Sequence, residues 1–122
     1  MEYKDFTKHP KKLLTEGKTN EVVKVSGIAR ACEIVILQNK ARYILGFLEL
    51  DKDKFIRLFG KVEQPGRTLR YLNASSESNQ DIQIKGVYFE SGPGIAVEYL
   101  KLGNLEGMIV PTDLKESIEN YF

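Results

Sequence analysis

At 122 residues the chain reads as one domain with room for a single modest core. No apolar run approaches a bilayer span, and residues 1–20 lack the apolar stretch of a secretory signal, so neither membrane insertion nor export is expected. The net charge of +1 lacks the global basic signature of a protein that works by phosphate neutralisation alone; the single Cys32 excludes an internal disulfide framework and suits a reducing, intracellular compartment, cytoplasmic or nuclear.

Residues 1–20 are polar and Lys-rich, with Pro10 and Gly17 as breaks and Leu13 and Leu14 as the one strong aliphatic pair. They read as an extension, with a short helix or strand over the end of the fold that follows. His9 is the single histidine and has no Cys or second His nearby, so a metal site is not expected there.

A first strand is expected from about 21 to 37. Val23, Val25, Gly27 and Ala29 alternate with Lys24, Ser26, Ile28 and Arg30. Glycine inside a strand marks a bulge or sharp bend. A long strand bent at Gly27 can serve both halves of a small barrel. Gln38, Asn39 and Lys40 form a turn.

The hairpin over residues 42–62 organises the rest. Strand side chains alternate between two faces. Ile44, Gly46, Leu48 and Leu50 share one face with Ile56, Leu58, Gly60 and Val62. Tyr43, Leu45, Phe47 and Glu49 share the other with Phe55, Arg57, Phe59 and Lys61. The first face is aliphatic, as a core requires. The second interleaves aromatics with cations, which suits a platform for unpaired bases. Asp51 and Asp53 lie in the hairpin turn, where turn chemistry explains them without a metal.

After Val62 the pattern changes. Gln64, Pro65 and Gly66 break the strand, and residues 67–73 fit two helical turns with Leu69 and Leu72 on one side. Residues 74–80 are rich in Ser and Asn and read as a loop. Alternation returns over 82–89, a turn follows at 90–94, and the last strand covers 95–102. The turn contains Ser91, Gly92, Pro93 and Gly94 but no helix follows it, so it is not a phosphate cradle.

Charge is uneven along this order. Residues 22–62 carry eight Lys or Arg against four acids, whereas residues 98–122 carry two Lys against five acids. Two faces with different partners would produce this asymmetry, as would chance variation along a mixed surface.

Three strands, a short helix or loop, then two strands is the order of the five-stranded OB-fold, a Greek-key barrel. The fold class is thus mainly all-β. The motifs extend the likeness. Val23-x-Val25-x-Gly27, the stretch from Tyr43 to Asp51, and Ile82-x-Ile84-x-Gly86 resemble the OB-fold nucleic-acid-binding families. The barrel would span 21–103, between an extension at 1–20 and a linker and amphipathic helix at 104–122. With its trailing helix it looks most like the small and middle subunits of replication protein A and the related telomere-capping proteins. That resemblance implies binding of single-stranded DNA or RNA, association with a partner subunit, or both. It places the ligand face on Tyr43, Phe47, Phe55, Arg57, Phe59 and Lys61, with Lys24 and Arg30 from the first strand and Lys85 and Phe89 from the fourth. The alternative is that these phenylalanines are covered by the extension or by a partner.

At the C-terminus, Thr112 can cap a helix whose Leu114, Ile118, Tyr121 and Phe122 fall on one face. A helix this short needs something to dock on. The resemblance implies a partner's helix. Lys115, Ile118, Tyr121 and Phe122 also look like a sliding-clamp-binding motif, although Lys115 stands where that motif has Gln.

Catalysis has little support. No histidine stands beside a nucleophile, no glycine-rich loop follows a strand into a helix, and no metal-ligand spacing occurs. No enzyme activity, cofactor or small-molecule substrate is expected, and Cys32 reads as packed rather than reactive. Two functions remain: a single-stranded nucleic-acid binder acting in replication or repair, and a non-catalytic interaction subunit of such an assembly.

Overall fold

The long first strand changes partner partway along, and this closes the barrel. The computed structural model describes residues 3–61, 65–102 and 105–108. The elements are β1 (Lys4–Asp5), α1 (Lys12–Glu16), β2 (Val22–Ile36), β3 (Arg42–Asp51), β4 (Lys54–Lys61), α2 (Pro65–Ser78), β5 (Ile82–Phe89), β6 (Gly94–Leu102) and β7 (Leu105–Met108). Residues 22–27 of β2 pair antiparallel with β5, and residues 28–36 pair antiparallel with β3. The switch falls at Gly27. A Cβ there would lie 2.5 Å from the Glu49 carbonyl oxygen and 2.9 Å from Leu48 Cγ. The two strands approach closely because this residue has no side chain.

From β3 the sheet continues through the β4 hairpin, crosses to β6 by a parallel pairing, and returns through β5 to β2. Five strands in the closed order β2-β3-β4-β6-β5, with α2 between the third and fourth, make an OB-fold barrel. β7 adds to β6, and β1 adds in parallel to the edge of β2 that β5 does not use.

Alternation places Val23, Val25, Ile44, Leu48, Ile56, Leu58, Ile82 and Ile84 inside, each 1% exposed or less. Each such side chain contributes about 1.5–3 kcal/mol by leaving water. The N-terminal segment packs onto the barrel through the short strand β1 and the short helix α1. Leu13 of α1 is fully buried, and Phe6 joins the same core at 7% exposure.

The structure corrects one segment. Residues 74–80 were expected as a loop, but α2 continues to Ser78. Serine and asparagine content misleads here because Ser75 is a fastening, not a turn residue. It is fully buried, accepts the Ala29 N–H of β2 at 3.1 Å, and donates to the Gln80 carbonyl at 2.6 Å. Leu72 enters the core from the same helix, whereas Leu69 is half-buried. Pro65 opens the helix, where its missing N–H would be unpaired in any case. Ser75→Ala leaves the buried Ala29 N–H without its partner, removes the bond to the Gln80 carbonyl, and is expected to cost about 1–3 kcal/mol. A lower urea midpoint at unchanged slope is the signature of that loss.

Candidate nucleic-acid interface

Cross-strand register lays the outer wall of the barrel out in rows. One row runs Arg30, Phe47, Arg57, Gly94 and Phe89 across β2, β3, β4, β6 and β5. The next runs Glu33, Leu45, Phe59, Ala96 and Val87. On the other side of the first row, Glu49 pairs with Phe55. Directly paired residues share a face, so each row is a set of neighbours.

Two of the expected platform rings are open. Phe47 is 43% exposed and Phe55 is 45% exposed. Arg57, also exposed, pairs with Phe47 and lies two residues beyond Phe55 on the same face of β4. Three other aromatics are not available for stacking. Tyr43 is fully buried, Phe59 is 3% exposed and Phe89 is 7% exposed. The rings of Phe59 and Phe89 pack at 5.2 Å between centroids, tilted by 51°, and form a small apolar cluster with Ala96 on the outer wall. Leu45 and Val87 pack against it. Lys61 is half-buried and pairs with Tyr43 in the β3–β4 register.

The expected cations fall into different groups. Arg30 ties the end of α2 to the barrel. Its Nε donates to Glu49 Oε2 at 3.1 Å, its Nη1 to the Ser76 carbonyl at 3.3 Å, and its Nη2 to Asn79 Oδ1 at 2.8 Å. A cation at the carbonyl end of a helix is favourable, and these bonds commit it to the fold. Lys24 and Lys85 oppose each other across β2 and β5, in the row beyond Val87. The Tyr3 ring receives both, with Lys85 Nζ 4.5 Å and Lys24 Nζ 5.9 Å from its centroid. This cation–π arrangement offsets the repulsion of two facing ammonium groups. Asp5, in register with Lys24, adds negative charge: bonds from the Thr7 hydroxyl and N–H hold its carboxyl below the usual range, and Lys24 helps. The outer wall thus carries two patches that combine aromatic rings with cations, one around Phe47, Phe55 and Arg57 and one around Tyr3, Lys24 and Lys85, with the Phe59 cluster between them.

A bulge shapes the first patch. Between Arg30 and Glu33, β2 has one residue more than β3 has between Phe47 and Leu45. Ala31 takes up the difference with φ of +51°, a left-handed conformation that costs alanine about 1 kcal/mol. Opposite it sits Gly46, where a Cβ would collide with Cys32 Sγ. Beside the bulge is a pocket of about 340 Å³, at the small end for ligand sites. Ala31, Glu33, Leu45, Gly46, Phe47, Arg57, Leu58 and Phe59 line it.

Cys32 is packed, as its place on a long strand suggests. Burial pushes its thiol up to about 11, against a smaller opposing effect of the Phe47 backbone bond. The thiolate reacts and the thiol does not. At pH 8 the folded protein should therefore react with an aromatic disulfide reagent at least about tenfold more slowly than the urea-unfolded chain, since the scarcer thiolate outweighs its greater intrinsic nucleophilicity. Equal rates would mean that the sulfur is open to solvent.

Among the described residues, no three or more His, Cys, Asp or Glu side chains stand together as a metal site, and no helix is long and apolar enough to cross a membrane. Leu114, Lys115, Ile118, Tyr121 and Phe122, the expected partner-binding residues, lie outside the described residues. Sequence reasoning missed Tyr3 and Glu33. Nothing in the local pattern of either marks it, since each gains its role from strands distant in sequence.

No family model matches the chain, and no curated protein does. Among solved structures the chain is similar to one in a crystal structure of yeast Stn1 and Ten1, with 15% identity and a TM-score of 0.47. The similarity covers 82% of this chain and 48% of the other, so this chain spans about half the length of that one. The barrel assignment stands on the strand topology.

Proposed function

We propose that this OB-fold barrel binds single-stranded nucleic acid, without catalysis, by stacking unpaired bases on the outer face of β3 and β4. The observation that carries the reading is the pair of open rings, Phe47 and Phe55, beside Arg57 on one sheet face. Large apolar rings are normally withdrawn from water, and an aromatic pair left open next to a cation fits bases and the phosphates that join them. Stacking requires bases free of a duplex, which favours a single strand. The resemblance of the single small barrel with its trailing segment to the small and middle subunits of replication protein A supports a role in replication or repair.

Anisotropy of a labelled single-stranded oligonucleotide, as DNA and as RNA, tests the proposal. Saturable binding is expected, weaker for the matching duplex. Few phosphate contacts are available, so two or three of them should give a shallow salt slope of about −1.5 to −2 in log K against log [salt]. Equal affinity for duplex and single strand would sink the stacking face.

The near-neutral net charge of +1 favours a second reading, an interaction subunit that contacts protein through residues 112–122. Deleting those residues should then remove a partner and leave oligonucleotide affinity in place.

A further inference from the structure

The pocket beside the β2 bulge holds a charge that a phosphate-binding face does not want. Glu33 is exposed, lies in register with Leu45 and lines the pocket. The other lining residues are apolar except for Arg57. A carboxylate here repels a sugar-phosphate backbone and weakens any purely electrostatic grip. It becomes useful when it reads something on a base.

We propose that this pocket seats one unpaired nucleobase and that Glu33 selects bases carrying an exocyclic amine over thymine and uracil. This rests on the single-strand reading above and names the base class that the same face accepts. Phe47 stands at the rim for stacking, Leu45 and Phe59 supply an apolar wall, and Arg57 supplies positive charge for the linking phosphate. An ionised carboxylate only accepts hydrogen bonds. Cytosine offers its N4 amine, adenine its N6 amine, and guanine its N1–H and N2 amine. The pairing edge of thymine or uracil sets two carbonyl oxygens around one N–H, so those oxygens face the carboxylate unfavourably. The distinction is of hydrogen-bond sense, not of size, because cytosine and thymine have rings of the same dimensions.

The test compares labelled oligo(dC) and oligo(dT) of equal length at pH 7.5 and low salt, with wild type and Glu33→Gln. Wild type should bind oligo(dC) about tenfold more tightly than oligo(dT), the discrimination of one good base contact. A glutamine amide both donates and accepts, so the variant should reduce that ratio to about twofold or less. Glu33 is exposed, so thermal unfolding of the variant should match wild type.

Three results would overturn the proposal, and they differ. Wild type binding oligo(dT) as well as oligo(dC), with both dependent on Phe47, removes base selection and leaves the stacking face standing. A uniform gain in affinity for both oligonucleotides in Glu33→Gln makes the carboxylate a source of repulsion and nothing more. Failure of wild type to bind any oligonucleotide removes the underlying single-strand reading as well.

Discussion

Replacing Phe47 or Phe55 by alanine is expected to weaken single-stranded oligonucleotide binding by about 5- to 150-fold each, the equivalent of about 1–3 kcal/mol per stacked base. Both rings are more than 40% exposed, so neither supports the core, and thermal unfolding should move little. Phe59→Ala gives the opposite pattern. Its ring is buried against Phe89 and Ala96, so removal should cost about 3–5 kcal/mol of stability. Any change in its oligonucleotide affinity should follow the loss of folded protein. The contrast separates a stacking platform from general disruption of β4. Unchanged affinity in a Phe47→Ala, Phe55→Ala double variant would remove the stacking platform.

Alternation alone separated the two faces of the hairpin, because a half-buried strand has one strict period and its core face is aliphatic throughout. It did not tell which outward aromatics stay open. Phe59 and Phe89 meet because β4, β6 and β5 are adjacent in the barrel, an adjacency that no local pattern encodes. Arg30 shows the same limit. Its outward position on β2 is legible, but its partners Ser76 and Asn79 lie more than forty residues away at the end of α2. Ser75 shows a limit of composition. The same residue type favours loops when solvated and locks a helix when buried against a free backbone N–H. The site was therefore legible as a face and illegible as a set of side chains. Phe47, Phe55 and Arg57 present themselves, whereas Lys24 and Lys85 form a separate patch under Tyr3.

The two glycine-ended strand motifs have a physical meaning that predicts the largest backbone effects in the barrel. In each, the apolar pair fills the core: Val23 and Val25 in β2, Ile82 and Ile84 in β5, all fully buried. The glycine that follows meets a neighbouring strand's backbone. At Gly27 the obstacle is the Glu49 carbonyl, where β2 changes partner from β5 to β3. At Gly86 a Cβ would run into the Ala96 carbonyl oxygen and lie 2.8 Å from Ile95 Cγ2, beside the register shift between β5 and β6. Backbone atoms in a closed barrel cannot swing aside as a side-chain tip can. Gly27→Ala and Gly86→Ala should each cost about 3 kcal/mol, a large part of a stability of about 5–15 kcal/mol. Gly92→Ala is the control. Its φ of +59° disfavours alanine, but the nearest atoms, in the Arg57 guanidinium, are 3.9 Å away. The cost there should be about 1 kcal/mol, from backbone angle alone. Urea titrations of the three variants rank space against angle directly. If Gly86→Ala unfolds at the wild-type midpoint, β5 and β6 have room to part. The glycine would then have to be explained by something other than packing. If it falls well below Gly92→Ala, the motif is a closure device of the barrel, and its presence in a sequence indicates the fold without specifying a ligand.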